Sequence, residues 1–133
     1  MLIRGGVVVD AGGERPADVR TTADGRIAEV ALGLDCLPGE QVHEAGGKFV
    51  VPGGIDAHTH LHMPVGAVRV SDDFVSGTRA AAIGGTTTII DYVTVARGDD
   101  PMATVATWRS WAEPSVIDWG LHLTCLLYTP RCV

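Results

Sequence analysis

From Gly53 onward, short apolar runs alternate with helix signals, and this rhythm restricts the fold more than any other feature of the chain. A Pro-Gly-Gly turn leads into Ile55 to Leu61, where polar and apolar residues alternate up to Pro64. Ser71-Asp72-Asp73 then reads as a helix start, with a capping hydroxyl at Ser71 and acids suited to the positive end of the helix dipole. That helix is predicted to carry Phe74, Val75, Thr78, Ala81 and Ala82 and to stop at Gly84-Gly85. Thr86 to Val93 is β-branched and apolar, the pattern of a buried strand. Asp99-Asp100-Pro101 opens a second helix, with proline in the first turn, where its missing N–H costs nothing. Met102, Val105, Trp108 and Trp111 form its apolar face, and it ends before Pro114. Ile117 to Leu127 is the third apolar strand. Strand starts recur about every thirty residues, the span of a βαβ unit. The expectation is a parallel sheet with right-handed crossovers, with Trp108 and Trp111 packed on it and given no binding role.

The first fifty residues follow another pattern. Leu2 to Val9 is apolar, interrupted by Gly5 and Gly6, and ends at Asp10-Ala11-Gly12-Gly13. Ala17 to Thr22 and Arg26 to Leu32 flank Asp24-Gly25, a two-residue hairpin signal. Val42 to Ala45 and Lys48 to Val51 suggest another short strand pair across Gly46-Gly47. Glu29, Glu40 and Glu44 are read as solvated. The division is therefore residues 1–52, built from short antiparallel strands, and residues 53–133, built from β/α units.

Composition closes off several function classes. The net charge is -6 with no basic cluster, so neither nucleic acid nor an anionic membrane surface is an expected partner. The uncharged runs Ala80 to Ile90 and Trp119 to Pro130 are too short to span a bilayer. The three cysteines, Cys36, Cys125 and Cys132, form no Cys-x-x-Cys pair, which points to a reducing compartment. The N-terminus lacks the apolar core of a signal peptide. Together these give a cytoplasmic expectation.

The chemistry concentrates in Asp56-Ala57-His58-Thr59-His60-Leu61-His62. In a strand, residues i and i+2 share a face, so His58 and His60 project side by side and can share one cation. Imidazole is a good zinc ligand. Pro64 breaks the strand just after the pair, which places the rings at its C-terminal end, where parallel α/β folds keep their sites. His62 shares the parity but is read as a loop residue near the mouth of the site. On the third strand, His122 lies in step with Asp118, Gly120 and Thr124 and is read as hydrogen-bonded rather than ligating. Asp56 could support the imidazoles or brace the strand, and Asp91 stays open in the same way.

Val51-Pro52-Gly53-Gly54-Ile55-Asp56-Ala57-His58-Thr59-His60 resembles the opening of the barrel in metal-dependent amidohydrolases. Asp72-Asp73-Phe74, the Gly84-to-Asp91 stretch, and Thr107-Trp108-Arg109-Ser110-Trp111-Ala112 extend the likeness to the dihydropyrimidinase and hydantoinase branch. The starting Leu2-Ile3-Arg4-Gly5-Gly6 is similar too. What the resemblance implies is an α/β protein: N-terminal β-sandwich strands, then the first units of an incomplete TIM (β/α)8 barrel. It also implies two divalent metals, usually zinc, in the complete site. There a bridging hydroxide opens a cyclic amide or ureide ring, with His58 and His60 ligating the more buried metal. Family members are commonly homotetramers.

Other parts of that pattern are missing from this chain. The family also uses a bridging carboxylated lysine, two further histidines and an aspartate from later strands, and the only lysine here, Lys48, precedes the first barrel strand. No catalytic residue is therefore assigned within the chain. It is expected to be an N-terminal piece that is inactive alone. Two other functions compete. One is a non-catalytic assembly role like that of collapsin response mediator proteins, which retention of both histidines disfavours. The other is a related cyclic amidohydrolase acting on allantoin or dihydroorotate.

Overall fold

The computed structural model describes residues 1–124 and divides the chain into two units, Met1–Pro52 and Gly53–Val133. In the first, β1 (Leu2–Asp10) pairs antiparallel with β2 (Gly13–Thr21), which pairs antiparallel with β3 (Ile27–Ala31). Two short strands, β4 (Val42–Glu44) and β5 (Phe49–Val50), complete the sheet. They do not pair with each other across Gly46-Gly47, as the sequence suggests. Each runs parallel to β1, Leu2 opposite Val42 and Val7 opposite Phe49. The reason lies in Gly5 and Gly6. Gly5 adopts a φ of 76° and the ladder to β2 slips between Ile3 and Gly6. A Cβ on Gly6 would meet Val50 Cγ2 at 2.7 Å and Ala45 Cβ at 3.1 Å. The bare backbone of β1 is what lets residues 42–50 run alongside it.

Val8, Ala17 and Val19 form a small apolar cluster, with Ile3 and Val50 against it. Beside them Asp18 is buried, accepting from the Gly5 N–H at 2.7 Å and the Leu34 N–H at 2.8 Å. Glu40 is not the solvated residue its sequence context suggests. Its side chain is 7% exposed and takes the Arg20 Nε–H at 2.9 Å. Arg20 also reaches Glu29, while Glu44 pairs with Arg4. Glu29 in β3 and Glu40 in the loop before β4 converge on the Arg20 guanidinium, a closure that local sequence does not display.

The second unit has a parallel sheet in the order β10-β9-β6: β6 is Gly54–Thr59, β9 Thr86–Val93 and β10 Asp118–Leu123. A hairpin of β7 (Pro64–Val65) and β8 (Val68–Arg69) follows β6. The helices α1 (Phe74–Ile83) and α2 (Pro101–Ala112) lie on one face of the sheet. The N-cap of α1 is Asp73, not Ser71: its carboxylate accepts from the Ser76 N–H, and Ser76 Oγ accepts from the Asp73 N–H. That reciprocal pair fills two of the free helix-end bonds, which Ser71, two residues upstream, cannot reach. Asp100 caps α2 with Pro101 in the first turn.

The core joins Phe74, Ile89, Val93, Val95, Trp108 and Ala112. Burying a side chain such as Phe74 contributes about 1.5–3 kcal/mol. In β9 the buried parity is Ile89, Asp91 and Val93, while Ile90 and Tyr92 face the other way. One charged residue thus lies on the packed face of the central strand. The part of the expected third strand beyond Thr124, and the tail Leu127 to Val133, fall outside the described residues. Among the described residues no helix is long and apolar enough to cross a membrane.

Candidate metal centre

The end of β6 departs from a regular ladder. Asp56 stands opposite Ile89 and Thr59 opposite Asp91, so β6 carries one more residue than β9 across that interval. His58 sits in this bulge, a feature that re-aims side chains at sites. The Asp56 carboxylate accepts the His58 backbone N–H at 3.1 Å, bracing the strand rather than an imidazole. Both rings are exposed, with His58 Nε2 and His60 Nε2 3.2 Å apart and the ring planes at 78°.

Two readings account for that spacing. Neutral imidazoles in complementary tautomers can share one N–H···N hydrogen bond. Alternatively, both lone pairs can point at one cation. Zinc–nitrogen distances of about 2.0–2.1 Å at a tetrahedral angle place two ligand nitrogens about 3.3 Å apart. The observed separation is close to that distance. Among the described residues no group of three or more His, Cys, Asp or Glu side chains could hold a metal.

Tyr92 packs beside it, its ring centroid 4.4 Å from that of His58 and 5.7 Å from that of His60. His122 lies on the far side of Tyr92, at 5.0 Å. The phenol ring therefore separates His122 from the pair, although β9 and β10 are neighbours. Nothing in the sequence of β9 marks Tyr92 except its parity with Ile90. His62 leaves the set altogether. Its φ of 55° breaks the alternation, and its ring packs on Trp111 at 4.6 Å and receives Arg69 Nη1. Arg69 itself lies 5.0 Å above the Trp111 ring, so Trp111 has polar company beyond its packing role. Lys48 belongs to the first unit, in the turn before β5.

Behind the pair lies Asp91, fully buried. Its Oδ2 accepts the Thr59 hydroxyl at 2.9 Å and the Leu61 N–H at 2.7 Å. Burial pushes its carboxyl above the usual range, against the pull of the Leu61, Thr59 and Trp108 donors. The indole N–H of Trp108 is near enough to favour the charged form but falls short of a hydrogen bond, and Oδ1 has no partner.

The bulged β6 with its paired imidazoles lies in a parallel sheet covered by helices, and the chain belongs to the amidohydrolase family, which it matches over residues 49–119. The family is metal-dependent. Within it the likeness is to dihydropyrimidinases and hydantoinases. The chain is 42% identical over 124 residues to dihydropyrimidinase 2 of Caenorhabditis briggsae, covering 92% of this chain and 24% of that one. It is 46% identical over 123 residues to D-hydantoinase of Geobacillus stearothermophilus, covering 92% and 26%. The crystal structure of dihydropyrimidinase from Brevibacillus agri NCHU1002 superposes with a TM-score of 0.86 at 41% identity, over 92% of this chain and 26% of that one. The chain spans about a quarter of the length of these relatives. Its fold is accordingly that of their N-terminal part: β-sandwich strands, then the first β/α units of a TIM barrel.

Proposed function

We propose that His58 and His60 are two ligands of a divalent metal centre, and that the whole protein opens cyclic amide rings of the dihydropyrimidine or hydantoin type. The observation that carries this is the 3.2 Å between the two Nε2 atoms at the end of a barrel strand. The names of the relatives, dihydropyrimidinase and D-hydantoinase, supply the substrate class. Zinc is the ion the imidazole pair suits, and the resemblance implies two per complete site. When bound, such a cation supplies Lewis acidity, lowering the pKa of water and polarising a carbonyl. This chain contributes less than that. The two imidazoles hold the ion, and Tyr92 walls the rings on one side. No side chain here is assigned a proton transfer. Two imidazoles cannot hold two cations and orient an amide as well, so the 133-residue chain alone is expected to turn over no ring.

Calorimetric titration of the chain with zinc tests the site. Replacing either ligand, His58→Ala or His60→Ala, should weaken binding by more than about 100-fold, beyond the 10–100-fold carried by groups that only support a ligand. Both histidines are exposed, so stability should move by no more than about 0.5 kcal/mol. In the whole protein, ring opening should stop on chelation. Ring opening that survives a chelator would sink the reading, and a whole protein that carries no bound metal would favour the assembly role.

A further inference from the structure

The geometry points to Asp91 as the positioning residue for His60, an inference that rests on the metal-site reading above. The ladder between β6 and β9 is irregular from Asp56 to Thr59, and regular pairing ends at Thr59. Two residues later His62 turns into the left-handed region. His60 therefore sits on backbone that neither a strand ladder nor a helix holds. What holds it is one carboxylate oxygen. Asp91 Oδ2 takes the side chain of the residue before His60 and the backbone N–H of the residue after it, at 2.9 and 2.7 Å. Leu61 is fixed a second time, because its side chain packs over the bare backbone of Gly77 in α1, where a Cβ would collide with it. The residues on both sides of His60 are thus fastened to the central strand, which sets the Cα–Cβ direction of the imidazole between them.

The placement is expensive, which sets it apart from ordinary packing. Asp91 occupies the buried parity of β9 between Ile89 and Val93. An apolar residue there would leave no orphaned oxygen, whereas Oδ1 and the Trp108 N–H now both lack partners. Groups that orient a metal-bound histidine usually touch its second ring nitrogen. Asp91 acts instead through the hydroxyl of the residue before the ring and the peptide N–H of the residue after it.

The test compares variants of the chain by zinc calorimetry and, without metal, by the NOE between the His58 and His60 ring protons. Asp91→Ala is expected to lose that NOE and to weaken zinc binding about 10–100-fold. Asp91→Asn keeps one carbonyl oxygen for Thr59 and Leu61, and should retain the NOE and stay within about threefold of wild type. Thr78→Val is the control. Thr78 is equally buried and accepts the Val116 N–H at 3.2 Å, so its loss should lower stability without changing the NOE or the zinc affinity. If Asp91→Ala does not fold, Thr59→Val removes one of the two donors at similar volume and should weaken both readouts in the same direction. An intact NOE in Asp91→Ala, a loss in Asp91→Asn as large as in Asp91→Ala, or an equal loss in Thr78→Val would each overturn the assignment. So would a Thr59→Val variant identical to wild type. A wild-type chain that takes no zinc but keeps the NOE would count against the metal reading alone, and the NOE series would still decide the role of Asp91.

Discussion

Each unit buries one aspartate, and the two are treated in opposite ways. Asp18 spends both oxygens: Oδ1 takes the Gly5 N–H and Oδ2 the Leu34 N–H, and these bonds hold its carboxyl below the usual range. Asp91 spends only Oδ2, and burial pushes it the other way. Asp18 ties a glycine kink in β1 to the loop after β3, and charge and hydrogen bonds agree there. At Asp91 they do not, because hydrogen bonds favour the ionised form and the apolar setting opposes it. A fully satisfied buried carboxylate stabilises its surroundings, while a half-satisfied one is a cost. The first unit has no such conflict. The second carries it directly behind the imidazole pair.

The largest test of the second unit is its apolar core. All three tryptophans, Trp108, Trp111 and Trp119, lie in that unit, so their fluorescence follows its unfolding alone. Phe74 is 1% exposed and touches the centre of the cluster. Phe74→Ala should cost about 3–5 kcal/mol, seen as a lower urea midpoint with an unchanged slope. A smaller loss would mean that apolar burial does not dominate there, and the cost assigned to Asp91 would need another offset.

A matched pair of substitutions sharpens the contrast directly. Asp91→Asn keeps its one used acceptor and removes the buried charge, so tryptophan-detected stability should stay within about 1 kcal/mol of wild type or rise. Asp18→Asn must turn an N–H donor toward the Gly5 or the Leu34 N–H, and it should clearly weaken the first unit. Amide exchange at Gly5 and Leu34 reads that loss. Equal responses from the two variants would erase the distinction.

Sequence patterning carried further in the second unit than in the first. The α1 and α2 spans, Phe74–Ile83 and Pro101–Ala112, are set by periodicity and capping, which act over a few residues. The three parallel strands follow from β-branched runs. In the first unit, β4 and β5 are three and two residues long, and their partner is β1, some forty residues away, so a glycine turn between them was the only local clue. At the site the pair His58 and His60 can be read from strand parity. The bulge at His58 and the left-handed His62 cannot, because neither residue is a glycine that would announce it. Asp91 is open to either role in the sequence, because its two donors lie about thirty residues upstream, a distance that periodicity does not bridge.

The smallest expected effect is the response of the first unit to acid. Asp10 is held down to about 2, chiefly by hydrogen bonds from the Arg15 guanidinium and then by the Gly12 N–H. Asp18 and Glu40 are lowered as well, Asp18 by the Gly5 and Leu34 N–H groups and Glu40 by Arg20 and then the Leu37 N–H. A carboxyl whose folded pKa lies below its unfolded value binds fewer protons folded than unfolded over the interval between them. Stability therefore rises with pH across that interval. The contribution is complete above the unfolded values, 3.8 for Asp and 4.5 for Glu, and is lost as pH falls through the folded ones. For Asp10 that window runs from about 4 down to about 2. The group is exposed and screened by solvent, so the loss should be gradual rather than a sharp collapse. Carbon-13 titration of the carboxyls, with amide exchange at Gly12 followed in parallel, checks it. An Asp10 midpoint near 3.8, with Gly12 exchange unchanged between pH 4 and 2, would show that the Arg15 pair does not form in solution. The first unit's agreement of charge and hydrogen bonding would then rest on Asp18 and Glu40 alone.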